Sequence, residues 1–205
     1  MIDSYFRDSY QKVFVDPVLR SSLVKKLSPQ SLTLMGCFIG IMTGVFLWLD
    51  MSWIALGCLL ASGYFDTLDG SVARIQNLTS DTGAVLDIVS DRLVEWSVIL
   101  GLFLIDPIER GLLCILMLGS ILLCITSFLV VGVFSENESQ KSFHYSPGLI
   151  ERSEAFFFFG LMILFPLRFE LFSVSFSLLV FLTSLLRVAQ FLKYSKHGSQ
   201  YSDRE

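Results

Sequence analysis

Six long apolar runs are the feature that most limits what this chain can fold into. Several of them reach the roughly 20 residues that a helix needs to cross a membrane. Hydrophobic residues make up 53% of the chain, which favours a membrane protein over a soluble domain. The second and fifth runs are short, but each is long enough if its helix continues into neighbouring polar residues. We therefore predict an all-α integral membrane protein with six transmembrane helices, over residues 32–49, 53–65, 84–105, 111–134, 155–167 and 171–191.

The segment before the first run predicts one further, shorter helix. Asp16 and Pro17 are typical of a helix N-cap followed by a proline in the first turn. Leu19, Leu23 and Leu27 then recur at four-residue spacing, which indicates an amphipathic helix on the membrane surface. We predict a cytoplasmic segment over residues 1–30 that carries this juxtamembrane helix. The transmembrane domain then covers residues 31–193, and a polar, disordered tail covers residues 194–205.

The basic residues predict the orientation of the bundle. With six spans, both termini share one side of the membrane with the loops 66–83 and 135–154. The other side keeps only Arg110 and Arg168. Because cytoplasmic loops carry the excess of Lys and Arg, we expect a multi-pass protein of the cell (inner) membrane with cytoplasmic termini. The sequence has no cluster of basic residues, so nucleic acid is not expected as a partner. The apolar runs make membrane lipids the expected partners.

Aspartates are concentrated where the second and third spans meet the cytoplasm. Asp66 and Asp69 are three residues apart and Asp87 and Asp91 are four apart, so each pair lies on one helix face. A charged side chain costs about 2.5–3.5 kcal/mol or more at the centre of a membrane helix, so the four either lie at the water surface or serve chemistry. Such oxygen clusters suit Mg²⁺ or Mn²⁺, and two ions would balance the four charges.

Small residues and one arginine accompany these carboxylates. Gly70 and Ala73 follow Asp69 on the same stretch, and Gly83 precedes Asp87 by one turn. Small side chains let a bulky ligand approach the backbone. Arg74 supplies a fixed positive charge suited to phosphate oxygens. Metal ligands, small residues and an arginine together predict a diphosphate site on the cytoplasmic side.

The complete pattern resembles the signature of the CDP-alcohol phosphatidyltransferase family at every fixed position. It reads Asp66-x-x-Asp69-Gly70-x-x-Ala73-Arg74, eight residues, Gly83-x-x-x-Asp87-x-x-x-Asp91. The resemblance implies metal-dependent transfer of a phosphatidyl group from CDP-diacylglycerol to an alcohol, with release of CMP, in phospholipid biosynthesis. It also implies a homodimer.

The resemblance assigns a role to each matched position. Asp66, Asp69 and Asp87 would hold two divalent ions, and Asp91 would join them and act as the general base. The CDP-lipid would bind at Asp69 and at the positions Gly70, Ala73, Arg74 and Gly83, with room for the cytidine at the small residues and the diphosphate on Arg74.

The acceptor alcohol is predicted from two later arginines. Arg152, in the run Gly148-Leu149-Ile150-Glu151-Arg152, and Arg187 resemble positions of the phosphatidylinositol-phosphate synthase branch that contact the acceptor phosphate. That branch also has a Ser-Tyr-x-Lys-Ala-Arg run, of which only Ser127 occurs here. Inositol phosphate is the first choice of acceptor, with glycerol 3-phosphate or free inositol as alternatives. Lys141 and His144 are possible substitutes for the missing basic residues.

Two other classes also use intramembrane aspartates. Aspartate-rich membrane prenyltransferases bind diphosphate through metals, but their two aspartate motifs are well separated in sequence. A cation transporter would use carboxylates as an ion path, in which Arg74 has no role. Off the pattern, Asp81 is predicted to cap a helix or lie in a loop, and Glu95 to have either a structural or an accessory role.

Overall fold

Helices form nearly all of the part of the chain that the structure describes. In this computed structural model the described residues are 15–19, 28–136 and 152–202, and no strand occurs in these ranges. The all-α prediction is confirmed. The helices are α1 (Asp16–Leu19), α2 (Pro29–Trp48), α3 (Ser52–Gln76), α4 (Asp81–Ile105), α5 (Pro107–Glu136), α6 (Arg152–Leu164) and α7 (Phe169–Ser202), with a 3-10 helix at Pro166–Arg168.

Among these residues, three helical stretches are long and apolar enough to cross a membrane. They are Pro29–Trp48, Pro107–Phe134 and Pro166–Lys193. Helices α3 and α4 have 25 residues each, which is sufficient length, but they carry the signature aspartates and their arginines. Helix α6 has only 13 described residues, or about 20 Å at 1.5 Å per residue. The structure therefore shows a membrane protein but does not by itself establish six spans.

The six longer helices pack in a closed ring. Helix α2 packs against α3 and α4, α3 against α6, α6 against α7, α7 against α5, and α5 against α4. Leu59, Val98, Phe159 and Phe176 are among the side chains buried inside it, and the rings of Phe159 and Phe176 lie 5.4 Å apart. Because α3 and α4 run in opposite directions, the end of α3 and the start of α4 reach the same end of the ring.

Glycines hold α4 close to α2. A Cβ added at Gly40 would lie 2.5 Å from Cγ2 of Val94, and one added at Gly101 would lie 2.6 Å from the carbonyl oxygen of Gly44. Both distances are shorter than any side chain tolerates. The Ser97 hydroxyl adds a hydrogen bond of 2.8 Å to the carbonyl oxygen of Ile41. This close contact sets the position of α4, and with it Asp87, relative to α2.

The two ends of the chain differ from the expectation. Helix α1 begins at Asp16 with Pro17 in its first turn, and Val15 and Leu19 are buried against Leu32, Leu68 and Val72. This first part of the predicted amphipathic helix therefore packs on the ends of α2 and α3; Leu23 and Leu27 lie outside the described residues. Helix α7 continues to Ser202, whereas the sequence predicted a disordered tail from residue 194. Because no proline follows Pro166, the helical hydrogen bonds of α7 can continue past its apolar run into the polar residues that follow.

Candidate active site

A four-residue connection brings the two halves of the signature to one end of the ring. Helix α3 ends at Gln76 and is capped by Asn77, which has the left-handed backbone (φ 53°) that asparagine tolerates. Helix α4 begins after Ser80, whose hydroxyl oxygen accepts a hydrogen bond of 3.1 Å from the amide of Gly83. Asp81 is exposed in the first turn, so Ser80, not Asp81, is the cap.

Three signature carboxylates converge at this end. One oxygen each from Asp66, Asp69 and Asp87 lie within 4.8 Å of one another. The space between them and Thr33 has a volume of about 10 Å³, close to that of one water molecule. Three hard oxygen donors at this spacing fit Mg²⁺ or Mn²⁺. Asp69 is buried, whereas the Asp87 side chain is 45% exposed, so the cluster reaches from the protein interior to its surface.

Arg152 supplies the countercharge to these carboxylates. Its Nη1 forms ion pairs with Oδ1 of Asp66, with Oδ1 of Asp91 at 2.6 Å and with Oδ1 of Asp87 at 3.4 Å. Arg152 was predicted from sequence only as a ligand of the acceptor phosphate. Its contacts with three aspartates were not predicted, because residue spacing does not tell which helix packs beside α3 and α4.

Thr33 is a site residue that sequence reasoning missed. Its hydroxyl lies 2.5 Å from Oδ2 of Asp69 and also 3.1 Å from the carbonyl oxygen of Pro29. The first contact fixes the orientation of the most buried signature carboxylate. The nearby Ser28 caps α2 by accepting a hydrogen bond of 3.1 Å from the amide of Ser31. The available signal was the position of Thr33, a polar residue at the start of the first apolar run.

The positions predicted for the CDP-lipid form an accessible face beside the carboxylates. Outside the local helix backbone, the single described atom within 4 Å of a Cβ added at Gly70 is Arg74 Nη1, at 3.8 Å. Ala73 is half-buried, and Arg74 is exposed, with Nη2 donating to the Ser71 hydroxyl at 3.1 Å. Gly83 lies in the first turn of α4, where its amide bonds to Ser80. A ligand can therefore approach the backbone at Gly70 next to a cationic side chain.

A second cavity, of about 130 Å³, lies between α4, α5, α6 and α7. Arg187 Nη1 donates to the carbonyl oxygen of Cys124 at 3.0 Å and to the Ser127 hydroxyl at 3.4 Å, and its guanidinium lies 5.2 Å from the centre of the Phe128 ring. Arg152 lines this cavity as well as the space between the carboxylates. Arg152 and Arg187 therefore line one cavity and Ser127 contacts Arg187, while Arg152 also pairs with the aspartates. Lys141 and His144 lie outside the described residues.

Comparisons with known proteins agree with the signature. Residues 26–191 match the sequence model of the CDP-alcohol phosphatidyltransferase family. The inner membrane protein YnjF of Escherichia coli is 34% identical over 169 residues, which cover 79% of this chain and 82% of that protein. The phosphatidylinositol phosphate synthase of Corynebacterium glutamicum is 26% identical over 148 residues, which cover 70% of this chain and 65% of that protein.

A solved structure has a similar fold. The phosphatidylinositol phosphate synthase of Mycobacterium tuberculosis, crystallised with CDP-DAG bound, superposes with a TM-score of 0.58 and 23% sequence identity. The match covers 86% of this chain and 90% of that one. The family match extends over most of the chain and includes every signature residue, which confirms the resemblance predicted from the sequence. This chain belongs to the CDP-alcohol phosphatidyltransferase family.

Proposed function

We propose that this protein transfers a phosphatidyl group from CDP-diacylglycerol to the hydroxyl of a small polar alcohol and releases CMP. The observation that carries the proposal is the convergence of three signature carboxylates within 4.8 Å, beside the open face of Gly70 and Arg74. As a member of the family the protein is a membrane transferase of phospholipid biosynthesis. This membership leaves the prenyltransferase and transporter alternatives without support.

The carboxylates are the proposed metal ligands. Asp66, Asp69 and Asp87 would hold two Mg²⁺ or Mn²⁺ ions, with Asp91 completing the set. Bound ions would neutralise the diphosphate of the CDP-lipid and the charge on the departing phosphate. The Thr33 hydroxyl keeps the Asp69 carboxylate in one orientation, and such supporting contacts commonly decide how well ligands bind a metal.

The remaining signature residues act directly on the substrates. Arg74 holds the diphosphate, and the small residues Gly70, Ala73 and Gly83 leave room for the nucleotide. Asp91 accepts the proton of the acceptor hydroxyl. The hydroxyl oxygen then bonds to the phosphorus that carries the diacylglycerol, while the bond from that phosphorus to the CMP oxygen breaks. Positioning and charge neutralisation do most of the work in such a transfer.

The second cavity is the proposed acceptor site, and inositol phosphate is our first choice of acceptor. Arg152 and Arg187, which line the cavity, and Ser127, which contacts Arg187, would bind the acceptor phosphate. The position of Arg152 between this cavity and Asp91 would bring an acceptor hydroxyl close to the base. The two similar proteins that act as phosphatidylinositol phosphate synthases support this choice. Glycerol 3-phosphate and free inositol are the alternatives.

The arrangement in the membrane is also part of the proposal. We propose six spans in the cell (inner) membrane, both termini and the active site on the cytoplasmic side, and a homodimer. The inner membrane location of the Escherichia coli relative supports the membrane assigned.

The decisive experiment is an assay of CMP release. Purified protein in detergent would be given CDP-diacylglycerol and one acceptor at a time: inositol 1-phosphate, inositol or glycerol 3-phosphate. We expect CMP only when an acceptor is present, most of it with inositol 1-phosphate, and none after chelation of divalent ions. CMP release that continues in the presence of the chelator contradicts the metal assignment. CMP release with free inositol but not with inositol 1-phosphate contradicts the proposal that the acceptor is phosphorylated.

A further inference from the structure

The acceptor cavity contains a buried ion pair that the signature does not explain. Besides Arg152 and Arg187, the cavity is lined by Arg92 and Glu95, both on α4. Glu95 is 4% exposed, and its Oε2 lies 2.6 Å from Nη1 of Arg92. The same arginine also lies 4.0 Å from Oδ2 of Asp91. The cavity wall therefore carries three guanidinium groups and one carboxylate.

A carboxylate is an unexpected residue in a cavity built for a phosphate. Burying it costs free energy, and it repels an anionic ligand. Arg92 offsets part of this cost, but a carboxylate has more acceptor positions than one guanidinium nitrogen fills. The acceptor positions that remain suit O–H donors. Glu95 follows Asp91 by four residues, a rise of about 6 Å, so the two carboxylates can contact different hydroxyls of one polyol.

We propose that Glu95, held in place by Arg92, selects an acceptor with several hydroxyl groups. Glu95 accepts hydrogen bonds from hydroxyls of a phosphorylated polyol, while Arg187 and Arg152 hold the phosphate at the other side of the cavity. This inference rests on the proposed function, because it assigns one wall of the proposed acceptor site. It adds that the preferred acceptor is both anionic and polyhydroxylated, and it names the residue that distinguishes inositol phosphate from glycerol 3-phosphate.

The test compares Glu95→Gln with the matched control Glu109→Gln, an exposed glutamate in the first turn of α5. The replacement keeps the size of the side chain and removes its charge. We expect the KM for inositol 1-phosphate to rise about tenfold, since hydrogen bonds to a charged group are the strong ones. The KM for glycerol 3-phosphate should rise much less, and the KM for CDP-diacylglycerol should not change. Glu109→Gln should behave as the wild type.

Inorganic phosphate separates the hydroxyl contact from the phosphate contact. As a competitive inhibitor it occupies the arginines and offers no polyol hydroxyls, so Glu95→Gln should leave its inhibition constant unchanged or lower it. If Glu95→Gln weakens the binding of inorganic phosphate as much as that of inositol 1-phosphate, the ion pair of Arg92 and Glu95 is structural and the inference fails. The inference also fails if the variant changes the KM of neither inositol 1-phosphate nor glycerol 3-phosphate. Glu95→Asp keeps the charge and shortens the side chain. It should also raise the KM for inositol 1-phosphate, and it serves as the test if the glutamine variant unfolds.

The wild-type protein distinguishes this failure from that of the proposed function. No CMP release by the wild type with any acceptor overturns the transfer reaction itself. Normal wild-type turnover with unchanged acceptor selectivity in both Glu95 variants overturns only the assignment of Glu95.

Discussion

At the scale of single residues, Asp91 differs from the other signature aspartates in its surroundings. Asp66, Asp69 and Asp87 each place an oxygen in the group within 4.8 Å, and Asp91 lies outside that group. Asp91 pairs at 2.6 Å with Arg152, which also lines the acceptor cavity. We expect Asp91→Asn to keep most of the Mn²⁺ affinity and to lose about 100-fold or more in turnover, because it removes the base. Asp66→Asn should lose Mn²⁺ affinity too. Electron paramagnetic resonance of free Mn²⁺ measures the affinity, and CMP release measures the turnover. If Asp91→Asn and Asp66→Asn lose Mn²⁺ binding equally, Asp91 is chiefly a metal ligand.

The two acceptor arginines should also behave differently from one another. Arg187 contacts Cys124 and Ser127, away from the aspartates, so Arg187→Ala should raise the acceptor KM about ten- to a hundredfold. The KM for CDP-diacylglycerol should stay constant. Arg152→Ala should alter both, because Arg152 also pairs with three aspartates.

The control for these two variants is Arg168→Ala, which also removes a guanidinium group, but from an exposed position on the 3-10 helix outside the proposed site. It should leave both KM values unchanged. The measurements are substrate titrations on variants that keep the wild-type size-exclusion profile. If Arg187→Ala weakens both substrates equally, Arg187 is structural and an uncharged alcohol becomes the better acceptor.

Residue spacing predicted the parts of the site that lie on one helix and missed those that depend on packing between helices. The two aspartate pairs, Gly70 and Arg74 follow from periodicity and from the family signature. The contact of Thr33 with Asp69 joins residues 36 apart, and that of Arg152 with Asp66 joins residues 86 apart. Such contacts depend on which helices are neighbours in the ring. A single sequence does not specify that.

At the scale of secondary structure, the apolar runs predicted the helices better than they predicted helix ends. Helix α3 continues from its apolar run through Asp66 and Asp69 to Gln76, as the length argument required. Helix α5 begins at Pro107 and α6 at Arg152, both earlier than their apolar runs, because polar residues can occupy helix ends in water. The glycines at four-residue spacing on α2, Gly36, Gly40 and Gly44, were overlooked, although small residues at this spacing favour close helix packing.

The contact between α2 and α4 leads to a prediction for Gly101. A Cβ there would lie 2.6 Å from the carbonyl oxygen and 2.7 Å from Cα of Gly44, and backbone atoms cannot move aside as a side chain can. Gly101→Ala should therefore destabilise the protein by about 1–3 kcal/mol and lower turnover by shifting α4. Gly119→Ala on α5 is the control, because no described atom beyond the local helix backbone lies within 4 Å of its added Cβ. Thermal unfolding in detergent compares them; equal midpoints would show that α2 and α4 separate at little cost.

At the scale of the whole molecule, the distribution of polar and apolar surface defines how the ring sits in a membrane. Large apolar side chains such as Phe38, Leu60, Leu122 and Leu178 are exposed on the outside, where a soluble protein would be polar. The ion pairs of Arg152 with the signature aspartates lie at the end of the ring where α3 meets α4. The connection between α2 and α3, at Leu49–Met51, lies at the opposite end, since consecutive helices alternate in direction.

This arrangement predicts opposite accessibility for two connecting segments. Thr79, between α3 and α4, and Asp50, between α2 and α3, are both exposed. The excess of Lys and Arg assigns the Thr79 side to the cytoplasm. In a chain whose four native cysteines are replaced by alanine and which still releases CMP, Asp50→Cys should react with a membrane-impermeant maleimide in intact cells. Thr79→Cys should react only after the cells are opened. If only Thr79→Cys is labelled in intact cells, the orientation of the protein in the membrane is the opposite of the predicted one. If both variants are labelled, α3 does not cross the membrane. Either result would contradict the proposed cytoplasmic position of the active site.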